Sequence, residues 1–135
     1  MRTFVSVALA LMLLTGPAVA PASAQSALTK TDGQGPVAVA VTLMEATASG
    51  TKAKVVLDTH SVALDGIAFD RAVRLRKPDG TDIAPAAVEA ASGAGHHRQA
   101  VVTFPAIDGA MAVEIVVKDV GGVAERLFRW ALPLR

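Results

Sequence analysis

The sequence predicts an all-β domain, a seven-stranded immunoglobulin-like sandwich with Greek-key connections, behind an N-terminal signal peptide. Three observations carry this. Gly50, Gly66, Gly80, Gly95, Gly109 and Gly122 recur 13 to 16 residues apart, and three of them follow an aspartate, in Asp65-Gly66, Asp79-Gly80 and Asp108-Gly109. Asp-Gly suits tight turns because Gly accepts positive φ and Asp bonds its own backbone. The segments between these marks are rich in β-branched or aromatic residues and alternate with a period of two. No segment carries the apolar period of an amphipathic helix of any length, which leaves room only for a short helical turn within 63–72.

The elements follow in order. Residues 4–14 form an uncharged run of Val, Ala and Leu after the basic start Met1-Arg2-Thr3, and Gly16-Pro17 then breaks any helix. Ala22-Ser23-Ala24 supplies the small residues a signal peptidase reads, so 1–24 is expected to be removed. Cleavage after Ala20 would leave Pro21 just past the cut, a poorer substrate. An apolar run this short spans about half of the roughly 30 Å hydrocarbon core, so no stable membrane insertion is expected after cleavage. Residues 25–36 are polar and Gly-containing and read as a flexible leader. The sandwich domain is 37–135. Its strands are expected at 37–44, 54–60, 73–77, 82–88, 97–104, 113–117 and 123–132, with Pro78-Asp79-Gly80-Thr81 the strongest hairpin signal. Phe128 and Trp130 share parity on the last segment and are expected in the core.

Composition removes several function classes. Without Arg2 the chain carries 12 basic and 12 acidic residues, so there is no electrostatic case for nucleic acid or anionic lipid. Cysteine is absent, which excludes disulfides, blue-copper and Cys-rich zinc sites, iron–sulfur clusters and thiol catalysis. Asn is absent as well, so there is no N-glycosylation acceptor. Ser61 and Ser92 lie near histidines, but neither sits in a Gly-x-Ser-x-Gly elbow. No carboxylate pair stands out as a glycosidase couple. The chain reads as non-enzymatic. Arg74 and Arg76, in a basic stretch with Arg71 and Lys77, share parity and are expected on a solvated face.

The remaining chemistry is in the histidines, His60, His96 and His97. In an immunoglobulin arrangement the second and fifth strands are antiparallel neighbours. His60 closes the one and His97 opens the other, so both are expected side by side at one end of the sandwich, about 5 Å apart at Cβ. Parity turns Asp58, His60 and His97 outward, and His96 lies in the preceding loop. Asp65, Asp70, Glu89 and Asp119 are expected at the same end. Imidazole with carboxylate suits a divalent transition metal, copper or zinc above all. The expected ligand set is His60, His96, His97 and Asp58. Two other roles stand beside it: histidines at strand ends order turns through loop carbonyls, and His60 or His97 has the chemistry of a general base.

The run 56–61 (Val-Leu-Asp-Thr-His-Ser), then Gly95-His96-His97-Arg98, then Gly121-Gly122-Val123 through Glu125-Arg126 to Phe128-Arg129-Trp130, resembles a pattern in small exported bacterial and archaeal β-domain proteins of unknown function. The likeness runs from about Val37 onward and implies a compact exported β-domain. In size and compartment the chain also resembles periplasmic copper-carrier sandwiches. It departs from them in beginning its mature chain at Gln25-Ser26, where such carriers have a His ligand. Two function classes follow. One is a periplasmic or secreted metal-binding protein; the other is a structural or interaction module offering a sheet edge or its loops to an envelope protein.

Overall fold

The computed structural model describes residues 28–134. The expected signal peptide 1–24 and the first leader residues lie outside the described residues. Lying wholly within the described residues are nine strands and one helical turn: β1 (Thr29–Asp32), β2 (Val37–Thr47), β3 (Gly50–Thr59), α1 (Phe69–Ala72), β4 (Val73–Arg76), β5 (Asp82–Ile83), β6 (Ala87–Ala94), β7 (His97–Phe104), β8 (Ala112–Val120) and β9 (Val123–Ala131). They build two antiparallel sheets, ordered β1-β2-β3-β7-β6 and β5-β4-β8-β9.

Alternation explains why these residues form strands and which face each one buries. In β2, Val37, Val39, Val41 and Leu43 are buried, and in β3 Ala53, Val55 and Leu57 are buried on the same side. Ala100, Val102 and Phe104 of β7 continue the layer. The opposing sheet supplies Val73, Leu75, Val113, Ile115, Val117, Phe128 and Trp130, so one core fills the space between two sheets. Val116 departs from the rule: it faces outward by parity yet is fully buried, between its register neighbours Arg74 and Leu127.

Nine strands stand where seven were expected, and both additions have physical causes. The segment 82–88 is divided at Pro85, which has no N–H to donate to a ladder. Asp82–Ile83 pairs with β4 in one sheet, while β6 pairs with β7 in the other. Ala86 N–H donates to Thr103 O at 2.7 Å as the chain changes sheets. Within the predicted leader, Thr29–Asp32 is not a free arm but β1, paired with Val39–Thr42 of β2. It is held from the other sheet as well, because the Trp130 indole donates to Leu28 O at 3.2 Å and Arg126 Nη2 donates to Gln34 O at 2.6 Å. The helical turn α1 falls within the expected interval.

The two long outer strands differ. β6 is bulged between Glu89 and Ser92, with Ala90 at φ 49° and Gly93 at φ 86°. A side chain at Gly93 would collide with the His97 carbonyl, so the irregularity is fixed by a close backbone approach. β9 pairs with β8 residue for residue from Lys118↔Glu125 to Ala112↔Ala131.

Candidate functional site

β3 and β7 are neighbours, and their register ends on Leu57↔Arg98 and Asp58↔His97. Asp58, not His60, therefore stands opposite His97. His60 lies past the end of the ladder, because β7's chain has already turned at Gly95-His96 to join β6. The Asp58 carboxylate and His97 Nδ1 are 3.8 Å apart, each side chain 58% exposed. His60 and His96 are exposed too. Among the described residues, no group of three or more His, Cys, Asp or Glu side chains gathers in an arrangement that holds a metal ion. Of the carboxylates expected nearby, Asp65 is at this end but is engaged by backbone, and Glu89 is further along the sheet. Asp65 Oδ1 accepts from Gly95 N–H at 3.0 Å, and Glu89 pairs with Val101, four residues along β7 from His97.

What this end of the sandwich builds instead is a polar clamp on the β3–β4 loop. Leu64 N–H donates to Gly95 O at 2.8 Å, and Thr59 N–H donates to His96 O at 3.0 Å. Gly95 makes the turn at φ 65°, which costs a glycine little. Arg98 Nη1 donates to Leu64 O at 2.8 Å and to Ile67 O, and its guanidinium lies 5.0 Å from the centre of the buried Phe69 ring. Thr59 Oγ1 donates to Pro36 O at 2.7 Å and accepts from Ser61 N–H at 3.2 Å. The Thr-His-Ser and Gly-His-His-Arg segments thus meet in space. They meet through backbone groups, Thr59 and Arg98, more than through imidazoles.

The sequence pattern includes Arg98 and Thr59 without giving either a role, although a signal for both exists. Arg98 shares parity with Ala100, Val102 and Phe104, and Thr59 with Val55 and Leu57, so each polar group lies on an inward row. Arg126 repeats the pattern before Phe128 and Trp130. It is 1% exposed, with Nε 3.9 Å from Asp32 Oδ1.

Charge gathers elsewhere, on the outer face of the four-stranded sheet. Arg76 makes paired hydrogen bonds to Asp82 (2.7 and 3.0 Å) and to Glu125 (3.3 and 3.0 Å), and Lys118 Nζ lies 2.6 Å from Asp82. Hydrogen bonds from Arg76, then Lys118, hold Asp82 well below the usual carboxylate range. Arg76 likewise lowers Glu125, and Asp82 raises both Arg76 and Lys118. With two cations matching two anions, the group is a structural network rather than a poised catalytic one. At the end opposite the histidines is a cleft of about 660 Å³, lined by Leu75, Ile107, Met111, Val113, Leu132 and Leu134 among smaller residues.

No protein-family model, curated protein or solved structure matches the chain. Among the described residues no helix is long and apolar enough to cross a membrane.

Proposed function

We propose that this chain is an exported, non-catalytic interaction module of the cell envelope: an immunoglobulin-like sandwich that offers a sheet edge to another protein. The immunoglobulin-like reading is supported by strand order. Taking β2, β3, β6 and β7 as strands A, B, D and E, and β4, β8 and β9 as C, F and G, the two sheets run A-B-E-D and C-F-G. Under this reading β1 and β5 are additions at one edge of each sheet. Export rests on the apolar run, helix break and Ala22-Ser23-Ala24 near the N-terminus. The location is periplasmic or extracellular, with mature protein starting at Gln25.

The observation that carries the interaction reading is β9. It is a nine-residue strand at the end of its sheet, with a ladder on one side only among the described residues and no bulge between Lys118↔Glu125 and Ala112↔Ala131. Edges of this kind are the ones other chains pair with, by β-augmentation. The test is a photo-activated cross-linker placed at Leu127 in the exported protein, with Gln99 on the outer face of the other sheet as control. Discrete adducts at Leu127 and none at Gln99 are expected. A lack of adducts at Leu127 overturns the reading.

One observation keeps the metal reading as the second: the Asp58–His97 pair at 3.8 Å, beside His96 and His60. Two ligands make a weak site, so useful affinity for copper or zinc requires a loop histidine to close over the pair. Calorimetric titration of tag-free protein with Cu²⁺ and Zn²⁺, beside His60→Ala and His97→Ala, decides it. Micromolar binding lost in both variants would establish the site. Ligation needs neutral imidazole, so protons compete with such binding.

A further inference from the structure

We infer that the partner of the β9 edge is a second copy of this chain, joined antiparallel about a two-fold axis at Leu127. This deepens the interaction reading and rests on it.

The inference starts from the outward row of β9. Glu125, Leu127 and Arg129 alternate with the buried Arg126, Phe128 and Trp130. They remain open to solvent, with exposures of 48%, 53% and 61% respectively. In an antiparallel pair centred on Leu127, Leu127 faces Leu127 of the other copy. Glu125 faces its Arg129, and Arg129 faces its Glu125. The row is therefore complementary to itself, acidic at one end, basic at the other, and apolar in the middle. A two-fold interface needs this property, since the same patch serves both sides. Residues directly opposite across antiparallel strands have Cβ atoms about 5 Å apart, within reach of both ion pairs and a leucine contact.

The existing charge pairs extend through such a joint. Arg129 Nε already lies 3.1 Å from Glu114, and Glu125 already accepts from Arg76. Pairing Glu125 with the other copy's Arg129 joins the Asp82–Arg76–Glu125 line of one copy to the Arg129–Glu114 pair of the other.

Among the described residues no strand pairs with this edge, and the other edges are guarded. β6 carries a bulge and two positive-φ residues, β5 has two residues, and β1 has four. Arg126 points inward, a placement that elsewhere discourages edge pairing. Here it is buried and bonded to Gln34 of its own chain, so it does not obstruct the edge.

The test uses exported protein purified without a tag. Sedimentation velocity is expected to give a dimer, and Leu127→Asp a monomer with an unchanged far-ultraviolet circular dichroism spectrum. The chain has no cysteine, so an introduced one reports only on itself. Under mild oxidation Leu127→Cys is expected to form a covalent dimer, and Glu125→Cys, displaced from the axis, is not. A monomeric parent protein, or equal cross-linking at both positions, overturns self-pairing. If the parent is monomeric while the cross-linker at Leu127 captures a different envelope protein, self-pairing falls and the interaction module stands. If Leu127 yields no adduct at all, both fall.

Discussion

The two ends of the sandwich are held by different forces. At the histidine end, loop 61–72 is tied down by polar contacts: Arg98 to Leu64 and Ile67 carbonyls, Asp65 to Gly95, and Ser61 N–H to Thr59 Oγ1. At the other end the connections are built from Ala106, Gly109, Ala110 and Ala112, whose side chains are too small to fill the space between sheets, and a cleft of about 660 Å³ remains. That end is closed mainly by apolar contact, through Leu132 and Leu134 packed on the core, with Leu132 N–H donating to Met111 O at 2.9 Å. Hydrogen bonds are directional and fix a loop's shape, whereas apolar contact over small residues excludes water without dictating one packing. The polar end is the specified one.

Four measurements break or sharpen this comparison. The largest effect is expected from Trp130→Ala, next to the cleft end. Trp130 is 4% exposed and faces Val113 across the ladder, so truncation should cost about 3–5 kcal/mol in denaturant unfolding. It should leave hydrogen exchange in loop 61–72 ordered as before. A loss below about 1 kcal/mol would mean that the apolar end does not depend on its aromatic wall.

Arg98→Ala comes next. It removes a cation hydrogen-bonded to two carbonyls and should cost about 2–3 kcal/mol, with exchange accelerating in loop 61–72 and not around the cleft. Uniform acceleration would show that the clamp is not local.

Acid should act on neither end but on the outer face between them. Asp82 binds its proton less readily folded than unfolded, because Arg76 and Lys118 bond the carboxylate. The stability it contributes is therefore complete above the ordinary carboxylate pKa of about 4 and lost as pH falls below that. Thermal melts of the parent should drop below about pH 4, and those of Asp82→Asn should drop less. Added salt should shrink the difference in part, since the network lies on the sheet's outer face. Parallel pH profiles would remove Asp82 from the account.

The smallest effect is expected from Met111→Ser. Met111 lines the cleft but is 82% exposed, so the change should stay within about 0.5 kcal/mol. A larger loss would show that the cleft mouth is better packed than its exposure implies.

Much of the fold was legible because a strand's period of two writes burial into spacing. Val37, Val39, Val41 and Leu43 could be assigned to a core before any partner was known, and so could Phe128 and Trp130. The same spacing places Arg98 and Arg126 on inward rows, where a charged residue signals a backbone clasp. The candidate site was legible only in part. That 54–60 and 97–104 pair could be anticipated from topology, but whether His60 or Asp58 meets His97 depends on register. Register is set by where the β6–β7 turn falls and by what Gly95 and His96 bond.

By itself the sequence determined the all-β character, the turn positions and the inward face of nearly every strand, because these follow from local φ/ψ preference and from apolar alternation. Only the tertiary structure decided that Thr29–Asp32 completes a sheet, since those four polar residues become a strand through β2 and the reach of Trp130 and Arg126. It also decided that Asp82–Ile83 and Ala87–Ala94 part company at Pro85 into opposite sheets. The physical reason is the same in each case. Period and propensity act over a few residues, whereas the sheet each strand joins and the geometry of a ligand set depend on contacts between segments distant in the chain, such as Trp130 with Leu28 and His97 with Asp58, which no local pattern encodes.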